Sequence, residues 1–379
     1  MNAEMFRARK GLEGVIFDET AISDVIPERQ TLLYRGYPVA ALAEQCRFEE
    51  VAYLLLRGEL PAPESLTAFT DFERHNRSLD DGTLRVLRES PAGHHPMDSL
   101  RTAVSFMSMS LPSPGPEDHA ALLRSSELLF AKMPTMVAAD YRLRQGKAPV
   151  PPRPDLSLAE NFFSMCFEQV PGPDLVKAFD ASLTLYAEHG FNASTFTARV
   201  VASSLSDLGS AVTAAIGSLK GPLHGGANEA VMAMLTEIES PDRARDWVLG
   251  ALADRRKIMG FGHRVYRLGD SRVPTMKTYR DRVAQATGDS RWIAISDIVE
   301  QTVLEQKGIP ANLDFPAGPT YALLGFDSPM FTPIFAMARV TGWCAHVMEQ
   351  LSSNRIVRPL SAYVGPQERP VPPPRDRPA

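Results

Sequence analysis

Hydrophobic positions along this chain recur mostly at helical spacing. Between Phe196 and Leu219, the residues Val201, Leu205, Leu208, Val212, Ile216 and Leu219 fall at steps of three and four, with Ala, Ser and Gly between them. That period gives a helix one buried face, and the small residues let neighbouring helices approach closely. Ser206-Asp207 followed by Leu208-Gly209 supplies a break and a cap, so the stretch reads as buried helix that can divide in two there. FEEVAYLLLRGELP opens with acidic residues, is apolar at its centre and closes on Gly then Pro, which is the order of helix end signals. Only GVIFDETAISDV and LLYRGYPV, near the start, mix β-branched residues with turn formers and admit short strands. There is no repeat of fixed period and no alternation of strands with helices, which argues against a doubly wound sheet. An all-α fold with minor short N-terminal strands follows.

Length adds a second domain to that picture. The chain has 379 residues, 44% of them hydrophobic, and single cores stop growing at roughly 250 to 300 residues. The net charge of -5 gives no broad attraction to nucleic acid or to an anionic membrane, so any anion site must be local. Cys46, Cys166 and Cys344 are far apart and show no C-x-x-C spacing, which points to a reducing compartment and away from a cysteine-held metal. The opening MNAEMFRARKGLEG lacks an apolar core, and the nearby apolar run VAYLLL is far short of the ~18 residues a membrane span needs. A cytoplasmic, soluble protein is the expectation. The proline-rich stretches LPSPGPED, KAPVPPRPD and RPVPPPRDRPA read as solvated loops and a frayed tail.

Four short motifs carry candidate chemistry. In LKGPLHGGANEAVMAML, His224 stands at a glycine-rich turn directly before the periodic run Ala227 to Leu235. An imidazole beside a helix N-terminus has its cation disfavoured, so a neutral, hydrogen-bond-donating histidine is expected there. Taken alone, a histidine that merely fills a turn is the commoner case. KIMGFGHRVYRLGDSR lacks the third glycine of a dinucleotide fingerprint and follows the helical-looking ALADRRKIM, so that reading fails on context. What remains is a Gly-Phe-Gly turn whose amides can approach a ligand, with His263 and with positive charge from Arg255, Arg256, Lys257, Arg264, Arg267 and Arg272. Arg255 and Arg256 also suit a solvated basic face. In NLDFPAGP, Asp314 sits between Leu313 and Phe315, where loss of water raises a carboxyl toward the range of a useful base, unless it only caps a helix. In FAMARVTGWCAHVMEQLSSNRIVRP, Arg339 lies mid-pattern among apolar residues, and a buried arginine calls for an ion pair or a bound carboxylate. His94-His95, in PAGHHPMD, lacks enough nearby acidic partners to argue a metal and reads as structural.

AEHGFNASTFTARV, GPLHGGANEAV, GFGHRVYRLGDSR, NLDF and FAMARVTGWCAHVMEQ through RIVRP, in this order and at these separations, resemble the citrate synthase family. The likeness runs from YRGYPV to AYVGP, and NLDFPAGP, SPMFTPIFAMARVTGW and RPLSAYVGPQERPVP look closest to its 2-methylcitrate synthase branch. The resemblance implies a two-domain, all-α fold: a large helical domain from residues 1–224 and 320–379, and a smaller inserted domain at 225–319, with the active site in the cleft between them. It implies condensation of propionyl-CoA with oxaloacetate and water to 2-methylcitrate and CoA, with acetyl-CoA also accepted. Alternatives are citrate synthase proper, or a non-catalytic CoA or dicarboxylate sensor on the same fold.

Residue by residue, Asp314 matches the family's base, His224 the donor to the enolate oxygen, and His263 the donor to the oxaloacetate oxyanion. Arg272, Arg339 and Arg358 match its oxaloacetate-binding arginines, with His189 and Asn192 beside them. The residue matching Arg358 comes from the other subunit, which implies a homodimer. Lys257, Ile258, Met259, Gly260 and Phe261 match the CoA segment and Arg267 a phosphate-facing arginine; Arg264 has no family role to carry over. No metal and no permanently bound cofactor is implied, acyl-CoA being a substrate. Two departures stand out: Pro316-Ala317 follow Asp314-Phe315 where an aromatic and a hydroxyl residue are usual, and Ser271 replaces a proline. Pro316 is expected to bias Phe315 toward extended backbone and so to reshape the acyl pocket.

Overall fold

In the computed structural model, residues 9–373 are described, apart from 113, 114, 116, 264, 267 and 268. Three short strands come first: β1 (Ser23–Ile26), β2 (Thr31–Tyr34) and β3 (Tyr37–Pro38) form an antiparallel sheet in sequence order. All else that is regular among the described residues is helical. The first eight α-helices are α1 (Val39–Gln45), α2 (Phe48–Arg57), α3 (Pro63–His75), α4 (Asp81–Arg88), α5 (Pro96–Ser108), α6 (His119–Arg144), α7 (Leu158–Phe167) and α8 (Pro173–Tyr186). Then follow α9 (Ala193–Ser203), α10 (Leu208–Leu219), α11 (Ala227–Ile238), α12 (Pro241–Ala253), α13 (Val273–Thr287), α14 (Arg291–Lys307), α15 (Asp314–Leu323) and α16 (Phe331–Ser352). None of them is long and apolar enough to cross a membrane.

Local chemistry sets these boundaries where the sequence placed them. α2 begins with Glu49 and Glu50 in its first turn and stops at Gly58, whose φ of 96° only glycine adopts without strain. The long periodic stretch is indeed two helices. Asn192 caps α9 by accepting from the Ser194 and Thr195 amides, and Asp207 caps α10 by accepting from Ser210. The small residues between the large ones let α10 lie against both α9 and α5.

Two contact units emerge. Thr20–Arg355 is one; the other consists of the terminal segments Met1–Glu19 and Ile356–Ala379, and includes Arg358, in a stretch without regular structure. In the large unit α16 is the central element, packing against α2, α6, α8 and α9, with Trp343 fully buried. Phe162, Phe163, Phe179 and Phe326 form an aromatic cluster with centroids 5.1–5.6 Å apart; burying each ring contributes roughly 1.5–3 kcal/mol. α11 and α13 pack on α15, and α12 on α14.

Three local expectations need correction. Phe315 is helical, not extended: Pro316 sits in the first turn of α15, where its missing N–H has no helical acceptor to lose. The helix leading into the Gly-Phe-Gly turn ends at Ala253, because the chain must turn to bring Phe261 beside Ala311 as an isolated antiparallel bridge. That turn is also not free to offer all its amides. Gly262 N donates to Pro310 O (2.9 Å), and Gly260 O accepts from Asn312 N (2.9 Å).

Candidate active site

α8 delivers Tyr186 and the loop after it delivers Glu188, His189 and Asn192; α16 crosses the same loop with Phe335 and Arg339. Tyr186 links most of the group. Its hydroxyl donates to Asp314 Oδ1 (2.7 Å), its carbonyl accepts from Arg339 Nε (2.6 Å), and its ring centre lies 4.2 Å from that of Phe335. Phe335 in turn lies edge-on to His224 at 6.1 Å and under the Arg339 guanidinium at 4.7 Å.

Asp314 opens α15 but does not cap it, since its side chain accepts from Tyr186 instead. Loss of surrounding water pushes its pKa up from 3.8 to about 6, against the lowering effect of the Tyr186 hydrogen bond and of Arg272. The carboxyl is thus poised near neutrality.

Both candidate histidines are held neutral, and their neighbours choose the tautomer. The Ser194 amide donates to His224 Nε2 (3.2 Å), so that nitrogen carries a lone pair and Nδ1 the proton. Trp343 Nε1 donates to the Ser194 hydroxyl (3.0 Å), itself 2.8 Å from His224 Nε2. Burial, and then the Arg339 charge, brings the His224 pKa down to about 3. The expectation of a neutral imidazole holds, but burial and an arginine produce it. For His263 the arrangement is reversed: the Val265 and Tyr266 amides donate to Nδ1 (3.0 and 3.2 Å), leaving Nε2 protonated. Burial and Arg272 bring His263 down to about 4.

The two arginines differ. Arg272 is gripped by Asp270, with Nε to Oδ1 at 2.9 Å and Nη2 to Oδ2 at 2.7 Å, and Asp270 Oδ2 also accepts from the Leu313 amide (3.1 Å). Arg339 is only 1% exposed, has no carboxylate within ion-pair distance among the described residues, and leaves Nη1 without a hydrogen-bond partner. His189, whose ring lies 4.9 Å from that of His263, likewise leaves Nε2 unpartnered. Burial, Arg272 and His263 hold it well below the ordinary imidazole range. A buried guanidinium and a buried imidazole with open polar atoms are free to hydrogen-bond a ligand or a water.

The remaining candidates divide. The Asn192 amide is taken up in capping α9, donating also to Thr195 Oγ1 (2.9 Å). Ile258 and Gly260 are buried, Lys257 is exposed, and the Phe261 ring packs tilted against Phe315, centroids 4.6 Å apart. Arg264 and Arg267 lie outside the described residues. Ser271 hydrogen-bonds Tyr266 (2.8 Å). Arg256 pairs with Glu237 and lies over Trp247, so it belongs to a solvated face. His94 and His95 do have acidic partners, Asp140 (3.0 Å) and Glu229 (3.3 Å), brought from 46 and 134 residues away. Tyr186, Asp270, Ser194 and Phe335 were not singled out in the sequence. Only Asp270, two residues before Arg272, had a readable signal there.

The family match covers nearly all of these elements. Residues 11–360 match the family described as citrate synthase, C-terminal domain. The chain belongs to the citrate synthase family. A 2-methylcitrate synthase of Mycobacterium tuberculosis is 52% identical over 365 residues, covering 96% of this chain and 92% of that protein. A citrate synthase of Mycolicibacterium smegmatis is 51% identical, covering 97% and 98%. Among solved citrate synthases, the Thermoplasma acidophilum ternary complex with carboxymethyl coenzyme A and oxaloacetate aligns at a TM-score of 0.92 and 30% identity, covering 98% of this chain and all of that one. The Thermotoga maritima citrate synthase aligns at 0.88 and 39%, covering 98% and 99%. As in those citrate synthases, the fold is almost wholly α-helical.

Proposed function

We propose that this citrate synthase family member is an acyltransferase that condenses propionyl-CoA with oxaloacetate and water, releasing 2-methylcitrate and CoA, and that also accepts acetyl-CoA. The observation that carries the chemistry is Asp314: a carboxyl poised near pH 6 by loss of water and a tyrosine hydrogen bond, within a group that holds two neutral, oppositely protonated histidines.

In this reading Asp314 removes the proton beside the thioester carbonyl, and His224 Nδ1–H donates to the enolate oxygen as it gains charge. The carbon so formed attacks the oxaloacetate ketone, whose oxyanion accepts from His263 Nε2–H. Water then hydrolyses the thioester and CoA leaves as the thiol. Neutral imidazoles suit this work, since each accepts a backbone amide at one nitrogen and keeps a single N–H donor at the other. Arg339 Nη1 and His189 Nε2, both buried and open, suit the oxaloacetate carboxylates, together with Arg272 and with Arg358 from a second subunit of a homodimer. The 257–261 segment and Arg267 would hold CoA. Every step uses groups of this chain, so no metal or resident cofactor is called for. We take residues 225–319 as a small domain that closes over the substrates, and place the protein in the cytoplasm, in keeping with three free cysteines.

The propionyl preference rests on the 2-methylcitrate synthase relatives, whereas the equally similar Mycolicibacterium smegmatis protein supports citrate synthase proper. A pocket with room for one extra methylene rejects the smaller acyl group by only about 10- to 200-fold. Thiol release with oxaloacetate, compared as kcat/KM for the two acyl-CoAs, decides the matter. Turnover of acetyl-CoA with none of propionyl-CoA assigns citrate synthase; turnover of neither removes the enzymatic reading.

A further inference from the structure

Glu188 is a fully buried carboxylate that the reaction above does not use. Its Oε1 accepts from His346 Nε2 (2.9 Å) and from the Ser23 hydroxyl (3.0 Å), while Oε2 has no hydrogen-bond partner. Oε2 lies against α16 at Gly342, where an added Cβ would overlap it. Gly342 is three residues beyond Arg339 and four before His346, so all three lie along one face of α16. Arg199 Nη1 donates to His346 Nδ1 (3.1 Å) and to Glu349 Oε2 (2.7 Å), and Glu349 Oε1 accepts from the Ala21 amide (2.8 Å). The Tyr34 hydroxyl anchors the backbone on either side, donating to Glu188 O (2.8 Å) and accepting from Glu188 N (3.1 Å).

A buried arginine with no ion pair still needs an opposite charge in reach. Arg272 solves this by direct contact with Asp270, which occupies Nε and Nη2. Arg339 has no such contact, but the Glu188 charge is the largest of those that favour its charged form against burial. A carboxylate in direct contact would consume the donors that a ligand needs. One held back by His346 and Ser23 offsets the guanidinium charge from a distance and leaves its Nη1 open.

We propose that Glu188 is a positioning residue acting as a stand-off counterion to Arg339, leaving that arginine's Nη1 unoccupied and lowering the affinity for the dicarboxylate substrate. The inference rests on the assignment of oxaloacetate to Arg339. An anion near a site for a dianion weakens binding of substrate and tricarboxylate product alike, which keeps the site from saturating with product.

The test is Glu188→Gln, which keeps an oxygen for His346 and Ser23 and removes the charge. The KM for oxaloacetate should fall by about 3- to 10-fold, with the KM for acyl-CoA unchanged; Glu188→Asp, which keeps the charge, should stay near wild type. A purely structural role would instead raise KM or lower kcat. If thermal melting shows that Glu188→Gln does not fold, the Glu188→Met/His346→Leu variant removes charge and donor together and carries the same expectation. An unchanged or raised oxaloacetate KM in a folded variant overturns the proposal. Arg339→Gln separates the two layers: unaltered oxaloacetate affinity there overturns the site itself, whereas weakened affinity there with no gain in Glu188→Gln overturns only the role of Glu188.

Discussion

The Tyr186 hydroxyl donates a 2.7 Å hydrogen bond to Asp314 Oδ1 across 128 residues of chain. This bond works against the loss of water around the carboxyl, and the balance leaves Asp314 near pH 6. In Tyr186→Phe the brake is gone, so the pKa rises and more of the base is protonated at any given pH. The acidic limb of kcat/KM should therefore move to higher pH, by about one unit. A pH profile that does not move assigns the limb to some other group.

Asp314→Asn keeps size and most hydrogen bonding but cannot take a proton. Its kcat should fall roughly 10²- to 10⁴-fold, while oxaloacetate binding measured by calorimetry stays close to wild type. Wild-type turnover would remove Asp314 from the mechanism.

Asp270 joins Arg272 to the Leu313 amide, and so ties the histidine loop to the start of α15. Breaking this buried pair in Asp270→Asn should cost about 3–5 kcal/mol of stability and lower both Tm and kcat. Burial pulls the Asp270 pKa upward, but Arg272 outweighs it and holds the carboxyl well below its ordinary 3.8. The stabilisation is therefore complete above that pH and is lost only as pH falls below it. Melting curves of the two proteins should differ most at neutral pH and converge in strong acid.

Gly260 has a φ of +84°, and a Cβ there would meet Val231 Cγ2 at 2.7 Å and Phe315 at 2.9 Å. Gly260→Ala should cost about 1–3 kcal/mol and raise the KM for acyl-CoA more than that for oxaloacetate. Initial-rate kinetics with each substrate varied in turn separate the two effects.

The sequence by itself determined most of the local structure. Apolar spacing, the Asp207 cap and the Gly58 stop act within a few residues, so they appear in the chain as written. The ordered motifs around His224, His263, Asp314 and Arg339 likewise marked the family and supplied the candidate site. The tertiary structure decided what each group faces. Nothing near Asp314 in the chain announces Tyr186, and nothing near His224 announces Ser194 or Arg339, because these partners come from other helices. Pro316 shows the same limit from the other side. Its general bias on the preceding residue was overruled once Phe315 became the second residue of a helix packed against Phe261. Hydrogen bonds, tautomers and pKa values depend on distances of a few ångströms, and only the folded chain sets those distances.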